Sequence, residues 1–142
     1  MSFILKTMLF YSIMIYNNKK TVDLISNLSD KLNQLGILLQ SNIARQFKLT
    51  DMASYVHVNI LKQQIYLRFK LSINSMELFD NDIVNICITN DMIHITCLVY
   101  SNYGVDKVME YQDNLNNFEL SIFDNISLKL LSCFKSHINF IA

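Results

Sequence analysis

The chain of 142 residues has no proline, no tryptophan and only two glycines. Those glycines, Gly36 and Gly104, stand 68 positions apart. Phosphate-cradling loops of the P-loop, dinucleotide and kinase types all need clustered glycine, so none can be built. The missing proline fits long uninterrupted elements. Cysteine is scarce too, with Cys87, Cys97 and Cys133 only. An odd count without C-x-x-C spacing is neither a disulfide framework nor a zinc site. It predicts free thiols in a reducing, cytoplasmic compartment. Charge of either sign is also missing in excess, since 12 basic residues balance 12 acidic ones. Arginine, the usual bidentate reader of bases and phosphates, occurs only at Arg45 and Arg68. Both facts disfavour nucleic acid as a partner.

What is present is apolar. Hydrophobic residues make up 51% and charged residues 17%, and mean hydropathy is +0.24. That composition excludes a disordered chain. The length predicts a single globular domain over residues 1–142. Isoleucine (18) and asparagine (16) are abundant while alanine (3) is rare. The bias favours AT-rich codons and points to a virus, an endosymbiont or a parasite.

Residues Ser2 to Tyr16 carry one charge, Lys6. Fifteen helical residues reach about 22 Å, short of the roughly 30 Å of a bilayer core, so no transmembrane span is expected. A secretory leader is disfavoured as well. Lys6 sits inside the apolar run, and Tyr16-Asn17-Asn18-Lys19-Lys20 offers no small-residue cleavage site. Phe10, Tyr11, Ile13, Ile15 and Tyr16 favour a buried strand, with a buried helix as the runner-up.

Asn17 to Lys20 reads as a turn, with Thr21 capping the helix that follows. Ile25, Leu28, Leu32, Leu35 and Leu39 recur at spacings of three and four, extended by Ile43 and Phe47. This predicts an amphipathic helix of roughly 25 residues. Its seam is too short for a dimer zipper and reads as core contact. Ile37 and Leu38 lie off that stripe.

The period then changes to two. Ile65, Leu67, Phe69, Leu71 and Ile73 alternate with polar positions, and Tyr55 to Leu61 is the expected hairpin partner. Met76 to Asn81 reads as a loop. Ile83–Thr89 and Met92–Tyr100 form a second hairpin around Asn90-Asp91. Its register sets Cys87 opposite His94 and points Cys87 and Cys97 to opposite faces, so those thiols do not pair. Val105, Val108, Met109 and Leu115 fit a short helix. Phe118 to Ile141 fits a helix or a strand; Asn116 and Glu119 have capping-box spacing and favour the helix. The expected class is α+β: an antiparallel sheet of two hairpins and an N-terminal strand, packed on a long helix and C-terminal helices.

Chemistry is sparse. Cys87 and His94 form the one nucleophile–base pair that the register brings together. Asn85 or Thr96 would have to orient the base, and no glycine-bearing turn supplies an oxyanion hole. A half-buried sheet face explains the pair more simply. His57, His94 and His137 lack metal-ligand spacing. Asp80, Asp82 and Glu77 lack the glycine and terminal glutamate of a calcium loop. No cofactor and no metal is expected. The apolar total and the aromatic and methionine content favour a non-enzymatic protein–protein interaction module: an adaptor, an assembly subunit, an antagonist of a host protein, or a homo-oligomer. Ile37, Leu38, Tyr66 and Arg68 are its candidate contact residues. A small cysteine-dependent enzyme and a nucleic-acid module are the alternatives.

Overall fold

A computed structural model describes the backbone of residues 3–46, 50–73, 75–101 and 104–141. It describes the side chains of 22–45, 51–72, 75–77, 79–100 and 104–136. The chain runs from helix α1 (Phe3–Gln46) through five strands to helix α2 (Ile122–Ile141). The strands are β1 (Thr50–Asn59), β2 (Gln64–Ile73), β3 (Met76–Thr89), β4 (Met92–Ser101) and β5 (Gly104–Asn114). They form one antiparallel sheet in sequence order. The fold is α+β, as the patterning predicts.

The apolar stripe of α1 is the reason it docks. Ile25, Leu28, Leu32, Leu35, Leu39 and Ile43 are all buried. They pack over the inner face of β1 and β2 and join one core with Ile65, Leu67, Phe69, Ile86, Ile95 and Val99. The seam is used inside the molecule. On α2, Phe123, Ile126, Leu130 and Phe134 repeat at helical spacing and close the same core. The Phe134 ring lies 5.1 Å from Phe69 and 5.0 Å, edge-on, from Phe79. Gly36 allows the closest approach of helix to sheet. A Cβ there would stand 2.5 Å from Ser54 Oγ, so any larger residue must displace that hydroxyl. Gln40, one turn on, donates from Nε2 to Ser54 Oγ at 2.7 Å.

The second hairpin has the register expected of it, with Cys87 opposite His94 and Ile86 opposite Ile95. Its turn places Asn90 at φ 55°, in the left-handed region that asparagine tolerates. The first hairpin turns over residues 60–63, with Gln63 at φ 51°.

Four expectations are corrected. No N-terminal strand forms, because the backbone is helical from Phe3 and continues unbroken through Asn17–Lys20 and Thr21. Asparagine and lysine cost only a few tenths of a kcal/mol inside a helix. No proline or glycine interrupts before Gly36, so the polar run is no turn and Thr21 is no cap. The packing of side chains 1–21, and of Phe47, lies outside the described residues. Met76 to Asn81 is strand, not loop. Phe79 enters the core and Asp80 pairs with β2, which draws β3 back to Met76.

Val105 to Asn114 is also strand, not helix. The β4–β5 register slips between Cys97 and Leu98, where Met109 faces Cys97 and Lys107 faces Leu98. The extra residue, Val108, breaks the alternation and leaves apolar positions at a false helical spacing. Last, the capping box does not form. Asn116 sits in a short 3-10 turn, Leu115–Asn117, capped by the Asn114 side chain, and α2 starts only at Ile122. Ile138 and Ile141 lie outside the described side chains.

Candidate functional site

Both helices cover one face of the sheet, and among the described residues nothing covers the outer face. Alternation along the strands puts Tyr55, Tyr66, Arg68, Asp80, Cys87, His94, Thr96, Tyr100 and Glu110 there. The sequence-predicted contact residues therefore separate. Tyr66 and Arg68 sit together on β2, half-buried in this outer face. Ile37 and Leu38 are on the helix layer, 64% and 41% exposed. Leu38 borders a groove of about 210 Å³ between α1 and α2, with Lys31, Leu35, Phe123 and Asp124.

The centre of the outer face is a groove of about 310 Å³. Tyr66, Arg68, Asp80, Asn81, Asp82, Asn85, Thr96, Leu98 and Tyr100 line it. Its floor owes its shape to a bulge. Arg68 pairs with Asp82 but Leu67 pairs with Val84, so Ile83 is an extra residue. Ile83 and Val84 are both buried, which leaves Asp80 and Asp82 on the outer side. Arg68 Nε donates to Asp80 Oδ1 at 2.9 Å, and Lys70 Nζ lies 3.9 Å from Asp80 Oδ2. The Arg68 hydrogen bond holds the Asp80 carboxyl below its ordinary range, and Asp80 holds the guanidinium above its own. Lys70 also stands 6.0 Å over the Tyr55 ring, and Tyr66 donates its hydroxyl proton to Gln64.

Next to these pairs are groups with none. The Nδ2 and Oδ1 of Asn81 and the Oδ1 of Asp82 are buried and make no hydrogen bond among the described residues. Leaving such a group unmet costs about 1–3 kcal/mol. The sequence reading weighed Asp80 and Asp82 only as calcium-loop carboxylates and expected a loop over Met76 to Asn81, so it missed their place in this groove. The visible signal was the alternation of Phe79, Asp80 and the Ile83-Val84 pair, which makes sense only once β3 is aligned with β2.

Cys87 and His94 are cross-strand neighbours, yet their hydrogen bonds lead elsewhere. His94 Nε2 lies 2.8 Å from Glu110 Oε1 and 3.5 Å from Thr96 Oγ1. Glu110 also accepts from Lys107, and that bond foremost, then His94, holds its carboxyl below its ordinary range. Cys87 Sγ lies 3.5 Å from Thr89 Oγ1 and 4.0 Å from Gln64 Nε2. All three thiols are free. Burial pushes Cys97 up to about 12 and Cys133 up to about 11. Both therefore stay protonated and poorly nucleophilic near neutral pH. His57 stacks edge-on against Tyr55 with ring centroids 4.8 Å apart, and His137 lies outside the described side chains. Asp80 is engaged by Arg68 and Lys70, and among the described residues no three His, Cys, Asp or Glu side chains gather as metal ligands. Among the described residues no helix is long and apolar enough to cross a membrane.

The chain matches no family model, no curated protein sequence and no solved structure.

Proposed function

We propose that this protein is a non-enzymatic protein–protein interaction module that receives a partner protein on the bare outer face of its sheet. The observation that carries this reading is the groove of Tyr66, Arg68, Asn81, Asp82 and Tyr100. It combines the residue types that dominate interface energetics, tyrosine and arginine, with buried polar atoms that lack partners. A partner that supplies a donor to Asp82 would complete it. Charge on this face is not basic in excess, with Arg68, Lys70 and Lys107 against Asp51, Glu77, Asp80, Asp82 and Glu110. That supports a protein partner over a polyanion. Three free thiols, one deep in the core, support a reducing, cytoplasmic setting.

The test is site-specific photo-crosslinking of the full chain in its native cells. A crosslinking residue at Tyr100, on the rim of the groove, is expected to give a discrete protein adduct that Arg68→Ala removes. The same residue at Leu128, on the outer side of α2, is expected to give none. Equal adducts at both positions, or none at Tyr100, would overturn the reading.

A further inference from the structure

An open antiparallel sheet has two edges, and each presents main-chain N–H and C=O groups that another strand can take up. Here the edges are β1 and β5, and they are guarded differently. β5 carries Asp106, Lys107, Glu110 and Asp113, and its register slips at Cys97/Leu98. Charges and a bulge are the usual defences of an edge strand. β1 lacks them. Its ten residues pair with β2 in unbroken register, and its one carboxylate is Asp51. Asp51, Ala53, Tyr55, His57 and Asn59 are exposed. α1 packs over the inner face of β1 and β2, where Ser54 meets Gly36 and Gln40, so it leaves the outer residues of β1 uncovered.

We propose that a second copy of this chain lays its β1 antiparallel against this β1, across a two-fold axis at Ser54, and so joins the two sheets into one. The residues select that register. An axis at a residue matches like faces, whereas one between residues does not. The axis at Ser54 opposes Asp51 with His57, Ala53 with Tyr55 and Met52 with Val56, each twice by symmetry. A carboxylate meets an imidazole, a small residue meets a large one, and apolar meets apolar on the inner face. An axis at Tyr55 would instead set Asp51 against Asn59 and Ser54 against Val56. An axis at Ala53 would set Asp51 against Tyr55. Neither keeps the carboxylate opposite the imidazole. The proposal rests on reading the chain as an interaction module, but it uses a different surface from the outer groove.

Sedimentation and light scattering of the full chain across concentration provide the test. A species of twice the 16.6 kDa chain mass is expected at micromolar concentration. His57→Asp opposes carboxylates at both ends of the pairing and should weaken the dimer about ten-fold or more. Asp51→His combined with His57→Asp exchanges the two partners and should restore it. Mixed Ala53→Cys and Tyr55→Cys chains should form a disulfide between copies. Circular dichroism checks each fold; these exposed positions should keep it, and the cysteine pair gives a second readout if a charge variant does not. A monomer at every concentration overturns the proposal. A dimer indifferent to His57→Asp, or weakened without restoration by the swap, overturns it equally. The Tyr100 adduct does not depend on His57, so the edge and the groove fail separately.

Discussion

The two faces of the sheet share the same five strands and differ in almost everything else. The inner face is apolar along its whole width and lies under both helices, with Phe69, Phe79, Ile86, Ile95, Cys97 and Val99 buried. Among the described residues nothing covers the outer face, and its contacts are ion pairs and hydrogen bonds around Arg68, Asp80, His94 and Glu110. Burial of apolar surface scales with area and is indifferent to direction. Polar pairs near water contribute little to stability but hold side chains in fixed places. The inner face therefore carries the stability, and the outer face is where we propose that a partner is received.

The sharpest way to break that division is to open the core. Phe134 holds α2 down through two ring contacts. Phe134→Ala should cost about 3–5 kcal/mol, visible as a fall in the denaturant midpoint. Tyr66→Ala on the outer face should cost far less. Equal losses would mean that the outer face is also structural. Gly36 tests the second prop of the inner face. Gly36→Ala drives a Cβ into Ser54 and should cost about 1–3 kcal/mol. Adding Ser54→Gly removes the atoms it meets at 2.5 and 3.0 Å and should return much of the loss. If it does not, helix packing elsewhere along α1 is being disturbed instead.

The same contrast explains what was legible in the sequence. Inner-face residues announce themselves by period. The stripe from Ile25 to Ile43, the alternation from Ile65 to Leu71 and the Asn90-Asp91 hairpin are visible because burial demands regular spacing. Where a bulge breaks the spacing, the reading fails. Val108 makes β5 resemble a helix, and Ile83 with Val84 hides the strand that carries Asp80 and Asp82. The apolar run at the N-terminus gives no period at all, and its residues are compatible with strand or helix until the unbroken backbone decides. Tyr66 and Arg68 were legible as outward positions of β2. Their neighbours Asn81 and Tyr100 were not, because the groove is made by register between strands, and register is a long-range property. Ile37 and Leu38 were legible as off-stripe, but not as belonging to the opposite layer from Arg68.

The smallest expected effect lies on the outer face and appears only as a dependence on pH. Folding lowers the Asp80 carboxyl from its ordinary value of 3.8, first through the Arg68 hydrogen bond and then through the charges of Arg68 and Lys70. A carboxyl that is lower in the folded state contributes stability above its unfolded value and loses it as pH falls through the folded one. Asp80→Asn should therefore be slightly less stable than the parent above about pH 4. The gap should close toward pH 2, because both chains are then neutral at this position. Salt should narrow it at neutral pH, since the pair is solvent-screened. Thermal unfolding of the two chains across pH 2 to 7 checks the sign. A gap that persists unchanged into acid would show that Asp80 acts by packing, and the contrast between an apolar inner face and an electrostatic outer face would fail at its centre.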